Sequence, residues 1–301
     1  APLPPGATCV EMQENVEVLE DGRVRFLQPL KAGQNIRAQG QENRVGDILL
    51  RAGKRLGPFE LAVAAGQGLA QVHVVRRPRV ALLSTGDELV EPGLPLRPGS
   101  IYNSNRVLLG HWLRELGCEV IDAGILPDRP AQTRLKLEQL QVAADLILTT
   151  GGVSAGDADC LGQVLREDGK PLLWKLAIKP GKPLTVGHFG TVPVIGLPGN
   201  PTSALVTFGL LARPYLLRIQ GVEEVMPLSF TVNAGFAWNK AGSRREYLRV
   251  RLEAGRAVLY PNQSSGVLLG ATWADGLVEV PENSTHNIGD ELRFIPFSEL
   301  F

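Results

Sequence analysis

Between Leu146 and Asp159 the chain reads L-I-L-T-T-G-G-V-S-A-G-D-A-D. A short apolar run rich in branched residues ends at Thr149 and Thr150, then passes into Gly151, Gly152, Ser154 and Gly156, followed by Asp157 and Asp159. Glycines let a backbone approach a ligand closely and turn its N–H groups toward an anion. Carboxylates two residues apart could hold a metal ion against that anion. Taken alone, such a stretch is more often simply a turn.

Four other stretches carry matching chemistry. After Leu83 comes S-T-G-D-E-L, with Thr85, Asp87 and Glu88; after Ala123 comes G-I-L-P-D-R-P, with Asp128. After Trp174, K-L-A-I-K-P-G-K-P brings Lys175, Lys179 and Lys182 into a segment shaped by Gly and Pro. After Ile195, G-L-P-G-N-P supplies Pro198 and Gly199, with Asn200 expected as a helix N-cap and Pro201 at the first helical position. Singly, loop acids are usually solvated and lysines usually decorate a surface. Together they combine amide donors, carboxylates and ammonium groups on one rim. Carboxylates beside a phosphate repel it unless a divalent cation lies between. The combination implies an anionic, phosphorylated ligand with Mg²⁺, and lysines for a second anion or for developing negative charge.

Other chemistries are disfavoured. No Ser-His-Asp order or P-loop lysine motif is present, and Cys160, with no basic partner beside it, reads as a packing residue. Cys9, Cys118 and Cys160 form no C-x-x-C pair and fit a reducing, cytoplasmic setting. His73, His111, His188 and His286 are scattered, against a His-ligated transition metal. Lys+Arg and Asp+Glu balance at 31 each, which removes a global electrostatic reason to expect nucleic acid or an anionic membrane. No apolar run approaches membrane-spanning length. The chain begins at Ala1 in the loop-like A-P-L-P-P-G, the expectation for a cut or processed polypeptide.

The elements that must position these loops follow from periodicity. Residues 1–76 read as a β-rich region: Val16 to Leu19 and Arg23 to Phe26 flank Asp21-Gly22 as a hairpin, Lys31 to Gly46 is a polar connector, and Pro58 opens a short helix. Residues 77–221 alternate strand and helix: strands at Val80 to Leu83, Glu119 to Ala123, Leu146 to Thr150, Leu172 to Ala177, Leu184 to Gly187 and Val192 to Ile195. Helices are expected from Arg106 to Leu116 capped by Asn105, from Ala131 to Ala143, from Leu161 to Glu167 and after Asn200. This is the pattern of an α/β domain, a mostly parallel sheet covered on both faces, whose ligands sit at the carboxyl ends of its strands. Residues 222–301 read as a small all-β, barrel-like domain with strands near Leu228, Tyr247, Ala257, Leu277 and Glu291.

S-T-G-D-E-L, G-S-I-Y-N-S-N, T-T-G-G-V-S-A-G-D-A-D, W-K-L-A-I-K-P-G-K-P and G-L-P-G-N-P-T-S, in this order, closely resemble the molybdopterin molybdenumtransferases, relatives of the gephyrin E domain. The resemblance runs from N-I-R-A-Q-G near the start to the C-terminal β domain, and implies the molybdopterin-binding fold for the middle domain. It implies insertion of molybdate into adenylylated molybdopterin with Mg²⁺-dependent release of AMP. Carried over by motif position, Glu88, Asp128 and Asp159 resemble the family's acids around metal and pyrophosphate. Lys175 and Lys179 resemble its molybdate and phosphate contacts, and Pro198 and Pro201 its pocket-shaping prolines.

The related adenylyltransferases have T-G-G-T-G where this chain has T-G-G-V-S at Thr150 to Ser154. Adenylyl transfer from ATP, or a non-catalytic molybdopterin-binding scaffold, are the alternatives. Two departures stand out. Glu42 occupies a place where the family usually has Asp, and family members carry a long N-terminal portion before the position of Ala1, which contributes to a homodimer. A molybdopterin adenylyltransferase is the further partner that the resemblance suggests.

Overall fold

The computed structural model describes residues 2–153 and 159–301, with only the main chain at Trp174. Two compact units are present, one of Ala1–Arg51 with Leu56–Val72, the other of Ala52–Arg55 with His73–Phe301. In the first, β1 (Val16–Val18) and β2 (Val24–Phe26) form the expected antiparallel hairpin. Gly22 turns it with φ 79°, a conformation that costs glycine nothing. Helix α1 (Pro58–Gly66) opens on its proline, where the missing N–H is no loss.

The second unit is built on a six-stranded sheet. Its first half comprises β3 (Arg79–Thr85), a short parallel pair of β4 (Leu89–Val90) and β5 (Ile101–Tyr102), α2 (Ser104–Glu115), β6 (Glu119–Leu126), α3 (Pro130–Leu140) and β7 (Leu146–Thr150). Then come α4 (Cys160–Asp168), β8 (Gly169–Lys175), β9 (Ile178–Lys179), β10 (Pro183–Phe189) and β11 (Val192–Leu197). Helix α5 (Pro201–Thr207) runs through a π turn at Phe208–Ala212 into α6 (Arg213–Ile219). The sheet order is β6-β3-β7-β11-β10-β8. The first four strands are parallel; β10 turns back against β11 and β8 against β10, so the sheet is mostly parallel as expected.

Period-two alternation divides the core. Leu82, Leu148 and Ile195 face Leu109, Leu113 and Leu205 of α2 and α5, whereas Ala81, Ile147 and Val194 face Leu137 of α3 and Val164 and Leu165 of α4. Leu82, Leu109, Leu113, Leu137 and Leu148 are at most 1% exposed, and burial of each such side chain contributes about 1.5–3 kcal/mol. The result is helix, sheet, helix: three layers.

The remaining strands are β12 (Phe230–Ala234), β13 (Arg245–Glu253), β14 (Arg256–Leu259), β15 (Gly276–Val280) and β16 (Glu291–Pro296), with α7 (Leu269–Trp273) between β14 and β15. They pair in the order β14-β12-β16-β15-β13, and β13 returns to β14, which closes a five-stranded barrel around Val232, Leu248, Val250, Val278 and Phe294. Strand β9 adds parallel to β13, pairing Lys179 with Glu246, so the lysine loop is fastened to the barrel.

One sequence expectation is corrected. Asn103, not Asn105, caps α2: its side-chain oxygen accepts from the Arg106 amide at 3.2 Å, and the helix starts two residues earlier than its apolar stripe suggests. Asn105 is thereby free for another task. Among the described residues no helix is long and apolar enough to cross a membrane.

Candidate functional site

Register places the strand ends together. Thr85 lies opposite Leu126, Ser84 opposite Thr150, and Thr150 opposite Leu197, so the loops after β3, β6, β7 and β11 leave one edge of the sheet. These loops, with the lysine segment and part of the barrel, line a cleft of about 1130 Å³.

The cleft gathers most of the residues singled out from sequence. Thr85, Glu88, Asp128, Gly151 and Gly152 line it, as do Lys175, Lys179, Lys182, Pro198, Gly199, Asn200 and Pro201. The two glycines are required by contact. A Cβ on Gly151 would stand 2.3 Å from the Thr85 carbonyl, and one on Gly152 would stand 2.5 Å from the Thr85 hydroxyl, both at positive φ. Lys175 and Lys182 are brought together because Lys175 pairs with Pro183 across β8 and β10 and the Leu176 amide donates to the Lys182 carbonyl at 3.1 Å. The Lys179 ammonium lies 3.1 Å from the carboxylate of Glu246, which is buried.

The acids of the rim are crowded. The Asp128 amide donates to Asp87 Oδ1 at 3.3 Å, and Asp87 itself is exposed beside the cleft lining. Burial first, then the like charges of Glu88 and Asp87, push the Asp128 carboxyl above the ordinary aspartate value. Among the described residues no three His, Cys, Asp or Glu side chains are grouped so as to hold a metal ion by themselves.

The remaining candidates stand differently. Asp159 is not among the residues lining the cleft: it caps α4, accepting from the Gly162 amide at 3.0 Å, and lies 3.3 Å from Arg166. Burial pushes its carboxyl upward, opposed by those two donors. Glu42 is exposed in a loop of the first unit. Ser154 and Asp157 lie outside the described residues. Cys160 is 1% exposed and its thiol is pushed up by burial and then by neighbouring acids, so it is a packing residue and not a nucleophile. Asn200 occupies the N-cap position of α5 without capping it; its amide donates instead to Ser265 Oγ at 3.1 Å.

Sequence reasoning missed the barrel's share of the cleft. Arg244, Gln263, Ser264, Ser265 and Gly266 line it, and the polar run P-N-Q-S-S-G between two strands was the signal available. This loop is held from below by Arg249, 1% exposed. Its Nη1 donates to Thr202 Oγ1 at 3.2 Å and to the Val267 carbonyl; Nη2 donates to the carbonyls of Asn262 (2.8 Å) and Ser264 (3.0 Å), and Nε to Gln263 Oε1 at 3.4 Å. Every one of these acceptors is neutral, so five guanidinium donors organise the loop without a counter-charge.

Asn105 was missed for a different reason, having been read as a cap. Its Nδ2 donates to Thr150 Oγ1 at 2.8 Å and to the Gly199 carbonyl at 2.7 Å, and Thr150 Oγ1 donates on to the Pro198 carbonyl at 3.2 Å. One side chain therefore ties the start of α2, the end of β7 and the loop after β11. Its Oδ1, like Asn103 Nδ2 and Thr85 Oγ1, is buried without a partner among the described residues, which costs about 1–3 kcal/mol each unless water or ligand satisfies it.

The comparisons agree with this geometry. Residues 81–218 match the family described as probable molybdopterin binding domain, residues 1–68 the MoeA N-terminal region (domain I and II), and residues 231–297 the MoeA C-terminal region (domain IV). The chain is 43% identical over 250 residues to a molybdopterin molybdenumtransferase of Haemophilus influenzae, an alignment covering 83% of this chain and 62% of that protein. It is 35% identical over 291 residues to molybdopterin molybdenumtransferase 2 of Mycobacterium tuberculosis, covering 94% of this chain and 72% of the relative. The crystal structure of a molybdopterin biosynthesis moea protein from Pyrococcus horikosii superposes with a TM-score of 0.79 at 34% identity, over 98% of this chain and 73% of that one. With its three regions matched in order and its fold reproduced, the chain belongs to the molybdopterin molybdenumtransferase family.

Proposed function

We propose that the cleft binds adenylylated molybdopterin and molybdate, and that the chain transfers molybdenum into the pterin dithiolate with release of AMP. The observation that carries this reading is the convergence in one cleft of three lysines, Arg244, two acids and the Gly151-Gly152 backbone. A doubly charged oxyanion and a pyrophosphate are the ligands such a set accommodates. Lys175, Lys179, Lys182 and Arg244 hold the oxyanion and screen the phosphates. Gly151 and Gly152, lacking Cβ atoms, let the ligand lie against the main chain. Pro198 and Pro201 fix the shape of the opposite wall. The sulfurs that take up molybdenum belong to the substrate, so the chemistry asks no thiol of the chain.

Mg²⁺ fits the acidic corner. Asp128 is held above its ordinary pKa by burial and by the neighbouring charges of Glu88 and Asp87, a strain that a divalent cation relieves. Glu88 and Asp128 would hold it, with Asp87 beside them; because among the described residues fewer than three side chains are grouped there, phosphate oxygens and water complete the shell, the usual manner of Mg²⁺. When bound it neutralises charge on the leaving phosphate. Asp159, through its bond from the Gly162 amide, keeps the start of α4 in place.

A homodimer is part of the same reading. The first unit leaves Val18, Phe26, Ile48 and Phe59 between 48% and 84% exposed, apolar surface of the kind a second copy covers. A molybdopterin adenylyltransferase would supply the substrate in a cytoplasmic setting.

The test is direct. The purified chain, given adenylylated molybdopterin, molybdate and Mg²⁺, should release AMP in proportion to molybdenum taken up. Substrate binding without AMP release would refute the catalytic part of the proposal, and no binding would refute the whole.

A further inference from the structure

The charged groups of the cleft account for phosphate and oxyanion but not for the neutral ring of any such substrate. One part of the wall is uncharged and, among the described residues, unsatisfied. Asn103 is 2% exposed and Asn105 7%; both line the cleft at the start of α2. Asn103 spends its Oδ1 on the Arg106 amide and leaves Nδ2 without a partner. Asn105 spends its Nδ2 on Thr150 and Gly199 and leaves Oδ1 without a partner. The hydrogen bonds that each does make fix which end of its amide is free, so the wall offers one donor and one acceptor of settled identity. Thr85 Oγ1, a cleft-lining hydroxyl that can donate or accept, is free as well.

We infer that Asn103 and Asn105 read the edge of a planar, neutral heterocycle that presents an acceptor beside an N–H donor. The C=O and N–H of a pterin lactam meet Asn103 Nδ2 and Asn105 Oδ1 respectively; the ring nitrogen and amino group of adenine offer the same pair. The inference rests on the substrate proposed above and says which residues recognise its uncharged part. A flat edge also suits atoms that the wall shields from water, where bulk solvent does not compete for them.

The experiment exploits the cap. Ser and Thr both cap helices and carry no charge, so Asn103→Ser and Asn103→Thr keep α2 while removing the free amide donor. Binding of pterin, of adenosine and of tungstate to the full chain is measured by titration calorimetry, with thermal unfolding recorded for each variant. We expect both variants to unfold within a few degrees of the parent, to bind tungstate unchanged, and to lose roughly tenfold or more in affinity for one heterocycle, the scale of a neutral hydrogen bond in a buried site. Loss confined to pterin identifies the pterin end; loss confined to adenosine identifies the adenine end. Unchanged affinity for both heterocycles, or loss of tungstate binding in parallel, would overturn the inference while leaving the anion cleft standing. A parent chain that binds tungstate but neither heterocycle overturns it too, and one that binds none of the three overturns the proposed function with it.

Discussion

Gly152 lies against Thr85 so closely that a Cβ added to it would stand 2.5 Å from the threonine hydroxyl. Gly151 meets the Thr85 carbonyl in the same way, at 2.3 Å. The ends of β3 and β7 are therefore locked together by the absence of side chains. Gly152→Ala should lower stability by about 2–4 kcal/mol, combining a positive φ of 63° with a clash against the buried Thr85 side chain. Chemical denaturation measures this, and a loss below 0.5 kcal/mol, as order of magnitude, would mean the contact is looser than described.

Asp128 offers a test with a definite sign. Its folded pKa is raised, chiefly by burial, so its contribution to stability is present at pH below the ordinary carboxylate range and lost as pH rises through the raised value. At pH 7 the ionised group strains the fold. Asp128→Asn should therefore raise the Tm at pH 7, with the gain fading toward pH 3, while turnover falls at least tenfold, the scale on which removing a metal-holding or charge-positioning group acts. A Tm that falls at pH 7 would show that burial and like charge are not what dominates at this residue.

Asp145 behaves oppositely. Arg76 holds its carboxylate with bonds of 2.6 and 2.8 Å, and the Arg79 amide adds a third at 2.8 Å, keeping its pKa far below the usual range. Stability from this group is present above its unfolded pKa and disappears as pH falls through the folded one. Asp145→Asn should cost about 1–2 kcal/mol at neutral pH, a magnitude set by a bidentate pair whose arginine is largely in water. Equal stability of the two proteins at pH 7 would sink this assignment.

Arg249 has five donors and five neutral acceptors. Arg249→Met leaves those acceptors unpaired and should cost about 3–5 kcal/mol, the range for breaking a buried charged network. Arg249→Lys restores only part of it, since an ammonium cannot reach five acceptors in a fork. Because the loop it holds lines the cleft, tungstate affinity should fall in the same order, and calorimetry that shows a weakened fold with unaltered tungstate binding would separate the loop from the site.

Much of this was readable in the sequence where local signals agree. Leu146 to Thr150 is a strand to the residue, because a branched apolar run meets glycines that can only be a turn. The alternation of strand and helix gave the layers. The cap of α2 was misplaced because two asparagines stand two apart and only tertiary contact decides which bonds the Arg106 amide and which reaches Gly199. Strands β4 and β5, two residues each, carry no period at all. That Asp159 also caps α4 was not legible from its place after a glycine loop, because the cap depends on where the helix begins. The barrel's contribution through Arg244 and Ser265 stayed hidden because these residues, far along the chain from the last loop motif, reach the cleft through tertiary contacts: the pairing of β9 with β13 and the bonds of Asn200 and Thr202 to Ser265.

The proposed reaction requires that one cleft take up the oxyanion. A crystal of the chain soaked in tungstate, measured at the tungsten absorption edge, tests it most directly. An anomalous peak is expected within the cleft, in contact with Lys179, Lys182 or Arg244, and should disappear when Lys179 and Lys182 are both replaced by alanine. A peak that lies only outside the cleft, or an empty cleft at saturating tungstate, would contradict it.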